Sequence, residues 1–196
     1  TKKVCVHLFD GYWEDIGTIR SFYEANLALA KNPPIFEIST PEAPTYSRMR
    51  YLPASRLDDA TVRQSFIADG CQIGEGAVIE NSIVGIRSKI GKNCVIRNSI
   101  LMGQDFFTSP EEDAAEIAAG RPTVGIGDNA IIDSAIIDKN CQIGNDVVIT
   151  NPTKVQTTPE LDFGMIRDGV ICVEKGSIIS PFWSLSDTLK EMKIEA

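Results

Sequence analysis

The sequence is poor in the residues that most often do chemistry. Its 196 residues hold one histidine, His7, and five cysteines with no Cys-x-x-Cys spacing. Without that spacing a zinc site is not expected, and without a secretory signal neither are disulfides. Positive charge is short: 19 Lys and Arg stand against 27 Asp and Glu, a net charge of −8. Such a balance argues against nucleic acid and anionic membrane as partners. No apolar run approaches the ~20 residues of a membrane span, and residues 1–12 lack the apolar core of a signal peptide. An initiating methionine is missing too. The chain starts at Thr1 and enters an apolar run, Val4-Cys5-Val6-His7-Leu8-Phe9. That start suggests a fragment; initiator removal and trimming are the alternatives.

What is present is a repeat. Aliphatic residues recur at Val62, Ile67, Ile73, Ile79, Val84, Ile90, Ile96 and Leu101, in steps of 5 or 6 with any three summing to 17. After an insertion the pattern resumes at Ile126, Ile132, Ile137, Ile143 and Ile149. Neither a helix period of ~3.6 nor strand alternation over two residues produces these steps. The residue two before each is nearly always small: Ala60, Ser65, Cys71, Ala77, Ser82, Ser88, Cys94 and Ser99, then Val124, Ala130, Ala135, Cys141 and Val147. Gly often follows. These features describe a triangular coil whose sides are short strands, each pointing one aliphatic and one small side chain inward. Its corners need residues that tolerate positive φ. Stacked coils bury a core that one coil cannot. The spacing therefore predicts a mainly β, hexapeptide-repeat parallel β-helix over about Val62–Leu101 and Val124–Ile149. A β-sandwich with chance spacing is the competing reading, and thirteen positions in register count against it. Ile166, Cys172 and Ile178 are read as a last partial coil. Core packing then accounts for all the cysteines: Cys71, Cys94 and Cys141 at small inward positions, Cys172 on the aliphatic register and Cys5 in a strand.

Two segments interrupt the repeat. Gly103–Thr123 holds a helical stretch that Ser109 caps, Pro110 begins and Gly120 ends. Asn151–Gly164, rich in Thr and Pro, reads as a loop. Ahead of the repeat come a strand over residues 4–9, a turn at Asp10-Gly11-Tyr12 and a helix from Thr18 to about Lys31. Pro33, Pro34, Pro41, Pro44 and Pro53 mark an extended linker. The expected organisation is residues 1–32 as the remnant of another domain, 33–55 as linker, 56–183 as β-helix and 184–196 as a short amphipathic tail helix. One strand and one helix bury no core alone, which again suggests that the first domain is incomplete.

Histidine scarcity also limits the chemistry of the coils. Acyltransferases of this fold use a histidine base and its carbonic anhydrases need several histidine ligands, but the coils here contain none. In its strand His7 reads as structural. A stand-alone hexapeptide acyltransferase is therefore disfavoured. The sharpest local motif is Trp13-Glu14-Asp15-Ile16-Gly17-Thr18, with Asp15 just before a helix start, where a carboxylate stays ionised and can bind a hard cation. Taken alone it reads first as an ordinary acidic residue at a helix N-terminus.

Asp10 through Ile19 resembles the end of the catalytic domain of ADP-glucose pyrophosphorylases. The same family is matched by Ala43-Pro44-Thr45-Tyr46 through Arg50-Tyr51-Leu52-Pro53, Ser82 through Ser88, Leu101-Met102-Gly103, Val124-Gly125-Ile126-Gly127 and Ile136-Ile137-Asp138-Lys139-Asn140. The plant and cyanobacterial branch is the most similar. The resemblance implies a left-handed β-helix at the C-terminus of a nucleotidyltransferase, with residues 1–32 as the end of its catalytic domain. It implies synthesis of ADP-glucose and pyrophosphate from ATP and glucose 1-phosphate, with Mg2+, for glycogen or starch. The assembly would be a homo- or hetero-tetramer, cytoplasmic in bacteria or plastidial in plants. By the Trp-x-Asp-x-Gly-Thr motif, Asp15 would bind the catalytic magnesium. Lys139 and Lys175 match two lysines that bind phosphorylated effectors. Arg50 matches a linker arginine lining the same region, and Arg48 a neighbouring position. Cations suit phosphate esters by charge and hydrogen bonding; from the sequence alone both lysines are solvated surface charges. The Gly-rich phosphate loop and sugar-phosphate lysine of the family are absent, so no catalytic set is complete and this chain alone should be inactive. The tail from Ser184 also departs from the family ending. A non-catalytic β-helix scaffold or sugar-phosphate sensor is the alternative function.

Overall fold

Strands of two to four residues fill residues 56–179 of a computed structural model, which describes residues 2–193. They stack into three sheets. The first comprises Arg56–Leu57, Gln72–Ile73, Lys89–Ile90, Gly125–Ile126, Gln142–Ile143 and Ile178–Ile179. The second comprises Thr61–Arg63, Val78–Glu80, Val95–Arg97, Ile131–Asp133 and Val148–Ile149. Phe66–Ile67, Ile83–Val84, Ile100–Leu101, Ala135–Ile137 and Val170–Val173 form the third, and Gly164–Arg167 adds an antiparallel strand at its end. Among the described residues all other pairings between these strands are parallel, and isolated antiparallel bridges join Thr157 to Arg167 and Leu161 to Gly164. Ile73 pairs with Ile90, Ile79 with Ile96 and Val84 with Leu101, each 17 residues on.

The inward set is the one the repeat predicts. Ile79, Val84, Ile96, Ile132 and Ile149 are fully buried, and so are the small partners Ala77, Ser82, Cys94, Ser99, Ala130 and Ala135. Small residues are required there because three strands converge on a narrow axis, and a larger side chain would overpack it. Corners rely on positive φ. Asn81 and Asn98 sit at φ 46°, Asn93 at 54° and Asn129 at 59°. Asn reaches this region at little cost and then bonds to its neighbour in the stack: Asn81 Nδ2 donates to Asn98 Oδ1 at 2.8 Å, and Asn98 Nδ2 to Asp133 Oδ1 at 3.0 Å.

Among the described residues three helices lie outside the coils. Helix α1, Ile19–Leu29, starts from a capping box between Thr18 and Ser21. Its Leu27 is buried with Ile100, Ile136 and Val170 on the outer face of the third sheet. Helix α2, Pro110–Ala118, lies in the first insertion, with Ser109 and Glu112 capping it reciprocally. Helix α3, Leu185–Glu191, buries Leu185 and Leu189 on the last coil, and the second sheet's final strand bridges to Ser184. The end of the expected tail helix, residues 194–196, lies outside the described residues. Among the described residues no helix is long and apolar enough to cross a membrane.

Two expectations are corrected. Residues 4–9 form no strand: Val4, Val6 and Leu8 are exposed, and no second strand satisfies their backbone groups. Cys172 does not face the axis. The register pairs Ala135 with Ile171 and Ile137 with Val173, so Ile171 and Val173 point inward and Cys172 packs with the outer cluster under α1. Ile178 is likewise half exposed, with Ile179 buried beside it. The hairpin from Gly164 changes the residue count, and a one-residue slip exchanges the faces of a strand.

Truncating Ile96 to Ala removes a fully buried side chain and should cost about 3 kcal/mol in urea unfolding. The outward Ile131→Ala, at 41% exposure on the neighbouring coil, should cost under about 1 kcal/mol.

Candidate functional site

One column of corners, from the third sheet to the first, differs from the two Asn-lined columns described above. Its positive-φ positions are Gly70, Arg87, Asn140 and Gly176. Lys139 and Lys175 precede the last two and occupy successive rungs, where the Gly176 N–H donates to the Lys139 carbonyl at 2.9 Å. Both ammonium groups close on one carboxylate. Lys139 Nζ lies 2.9 Å from Asp105 Oδ1, and Lys175 Nζ lies 2.7 Å from Asp105 Oδ2. Asn140 fixes that carboxylate from below: its Nδ2 donates to Asp105 Oδ2 at 3.0 Å and its Oδ1 accepts the Asp105 N–H at 2.9 Å. Hydrogen bonds from Lys175, Lys139 and Asn140 hold the Asp105 carboxyl far below the usual carboxylate range, and Asp105 raises Lys175 in return. The group remains a third exposed, so water and small ions reach it.

Asp105 belongs to the insertion that leaves the stack after Leu101. Gly103 begins it at φ 84°, where a Cβ would stand 2.2 Å from the Ile86 carbonyl oxygen, so only glycine fits. The insertion crosses the column as a strap whose helix α2 buries no residue. Polar contacts pin it: Lys89 Nζ to Asp113 Oδ2 at 2.7 Å, Gln142 Nε2 to Glu116 Oε2 at 3.2 Å, and Arg87 Nη1 to the Gln104 carbonyl at 3.2 Å. The Arg87 guanidinium also rests 5.6 Å from the Phe107 ring centre. Under the strap lies a cavity of about 220 Å³ lined by Gln72, Arg87, Lys89, Phe107 and Asp113. Two buried polar atoms of the strap, Gln104 Nε2 and Asp113 Oδ1, have no hydrogen-bond partner among the described residues.

The family model for the GLGC left-handed parallel beta-helix domain matches residues 50–182. The chain belongs to this family. The GLGC domain is the C-terminal β-helix of ADP-glucose pyrophosphorylase, a glucose-1-phosphate adenylyltransferase, which sets the chain in the context of glycogen and starch nucleotidyltransferases. The three-sheet stack is thus the left-handed GLGC helix. The matched span includes Arg50, Asp105, Lys139 and Lys175, whereas Asp15 and Arg48 lie ahead of it.

Other expected site residues are not gathered here. Arg48 and Arg50 sit exposed in the segment before the GLGC helix and form no ion pair or side-chain hydrogen bond among the described residues. That segment meets the column at its first rung, where Pro53 O accepts the Gly70 N–H. The lysines stand three and four rungs further on, roughly 14 and 19 Å at ~4.8 Å per strand. Asp15 is exposed, and its Oδ1 accepts the Gly17 N–H at 3.1 Å in a turn leading into α1. Magnesium takes about six oxygens. Among the described residues no group of three or more His, Cys, Asp or Glu stands ready to hold a metal; Asp15 alone does not form a site. His7 is exposed in a segment without a strand, and no side-chain bond satisfies it among the described residues. Burial pushes the thiols of Cys94, Cys141 and Cys172 up to about 11, so they are protonated near neutrality and serve as packing.

Asp105 itself was not a sequence candidate. It follows the Leu101-Met102-Gly103 motif by two residues, and only the pairing of Leu101 with Ile137 sets this strap beside Lys139.

The pKa directions fix how the strap responds to pH. With its folded pKa depressed, Asp105 contributes fully above the ordinary carboxylate value of ~3.9 and loses its contribution as pH falls through the lower folded value. Lys175, raised, contributes fully below ~10.4 and loses it as pH rises through the higher folded value. Hydrogen-exchange protection of the Asp105 amide, corrected for intrinsic rate, should be flat from about pH 5 to 9 and fall below about pH 4.

Proposed function

We propose that this chain is the regulatory and oligomerisation part of a glucose-1-phosphate adenylyltransferase, in which Lys139 and Lys175 receive the phosphate of a phosphorylated effector. The complete enzyme would form ADP-glucose and pyrophosphate from ATP and glucose 1-phosphate with magnesium, as a homo- or hetero-tetramer. One observation carries this reading: two lysines far apart in sequence hold opposite oxygens of one carboxylate, at 2.9 and 2.7 Å. A carboxylate presents two anionic oxygens much as a phosphate ester presents three, and paired ammonium groups suit either. Arg63 and Arg97 grip the Glu80 carboxylate in the same way, at 3.0 and 2.9 Å, but on the second sheet, whereas the lysine pair lies in the corner column that the strap crosses. Ile131 and Ile178, exposed on outer sheet faces, and Leu57, an inward position exposed on the first rung, are apolar positions suited to subunit contact. Arg48 and Arg50 are proposed to join the effector site through movement of the exposed segment that carries them.

In the complete enzyme, Lys139→Ala and Lys175→Ala should each weaken activation about tenfold or more while basal turnover changes less than about threefold. Activator titrations on both variants measure this, and an unchanged activation constant in both removes the assignment.

Asp15 is proposed as one magnesium ligand, the remainder coming from groups outside the described residues. Asp15→Asn should abolish turnover of the complete enzyme, a loss of about 100-fold or more, with circular dichroism unchanged. A β-helix protein that senses sugar phosphates without turnover is the second reading, favoured by the exposure and isolation of Asp15. Wild-type turnover in Asp15→Asn would exclude the metal role.

A further inference from the structure

We propose that Asp105 is a built-in stand-in for the effector's phosphate, and that a phosphate-bearing ligand binds by displacing it and loosening the strap of residues 103–123. The inference rests on the reading of Lys139 and Lys175 as an anion site, and extends it to a residue and a moving element.

The geometry supports displacement over simple coexistence. Asp105 gives one oxygen to each lysine and shares Oδ2 with Asn140, so its carboxylate fills the space between the two ammonium groups. An incoming anion must take those donors from it. The exchange is chemically even, since one set of charge-assisted hydrogen bonds replaces another and only the difference sets the apparent affinity. At about one-third exposure the lysine–carboxylate contact is open to solvent, so the exchange needs no core opening.

The strap is built to let go. Helix α2 contributes no buried residue, and Ile117, Phe106 and Phe107 remain well exposed. Its attachment is mostly polar: the Asp105 cluster, Lys89 with Asp113, and Gln142 with Glu116. Beneath it, Gln104 Nε2 and Asp113 Oδ1 are buried without partners among the described residues, and the cavity of about 220 Å³ leaves the contact incompletely packed. An unsatisfied buried polar atom disfavours the closed state, so the docked strap is held by its ion pairs and by hydrogen bonds such as Gln104 N–H to the Ile86 carbonyl at 2.9 Å. Gln104 and Asp105 are adjacent, which ties loss of the Asp105 contact to the poorly satisfied end of the strap. The result is an element with two arrangements whose balance a ligand can shift.

Inorganic phosphate is the probe, titrated calorimetrically into the 196-residue chain at fixed ionic strength with chloride as control. The chains compared are the wild type, Asp105→Asn and the double variant Lys139→Gln with Lys175→Gln. Asp105→Asn should bind phosphate about tenfold more tightly than wild type, and the double variant should lose binding. In wild type, saturating phosphate should speed amide exchange across residues 104–118 by about tenfold and leave the inward strands unchanged. If Asp105→Asn binds phosphate no more tightly while the double variant loses binding, displacement is overturned and the lysine site stands. If neither wild type nor Asp105→Asn binds phosphate, both ideas fall. Should Asp105→Asn not fold, exchange on the wild type decides: bound phosphate with an unchanged strap overturns the proposal.

Discussion

Everything in this molecule follows from closing a triangle in 17 residues. Three short strands must each turn a side chain onto a shared axis, and three corners must each reverse the chain within a few residues. The first demand fixes an aliphatic residue preceded two positions earlier by a small one. The second fixes residues that accept positive φ. Every coil meets both demands again, so Ile79, Ile96 and Ile132 stack in register as fully buried side chains. No single coil is stable alone, and each depends on its neighbours for hydrogen bonds as well as burial.

A frame this strict leaves only its corners and insertions free to vary. Two of the corner columns carry mainly asparagine and aspartate at their positive-φ positions, with side chains bonded rung to rung. The third departs from that rule. It carries Arg87, Lys139 and Lys175, and the strap crosses it. Cations and carboxylates meet along this edge, Arg87, Lys139 and Lys175 beside Asp69, Asp105, Asp138 and Glu174, because it is released from the ladder the others maintain. Rung spacing then sets the separation of Lys139 and Lys175 at about one strand width, a distance that one carboxylate can bridge.

Much of the fold could be read from the sequence because its period is so uncommon. The cap at Ser109 has a local cause, and the small inward positions recur with the coil, so both leave marks in the sequence. The errors arise where pairing is non-local. Val4–Phe9 carries a strand pattern but finds no partner. Cys172 fits a six-residue count that the hairpin from Gly164 invalidates. The site was legible in the same uneven way. Resemblance singled out Lys139 and Lys175, but Asp105 could be found only once Leu101 was set against Ile137. Arg48 and Arg50 match a motif, yet the segment holding them joins the column at its opposite end.

The last coil has a consequence for assembly. A stack of parallel strands is polar, and its final rung presents unpaired backbone that could template another chain. Here the second sheet's last strand pairs with Ser184 at the start of α3, and the third sheet ends in an antiparallel strand that reverses the direction of growth. The stack is in effect punctuated. Among the described residues, the last rung is poorly matched to an added parallel strand on its second and third sheets.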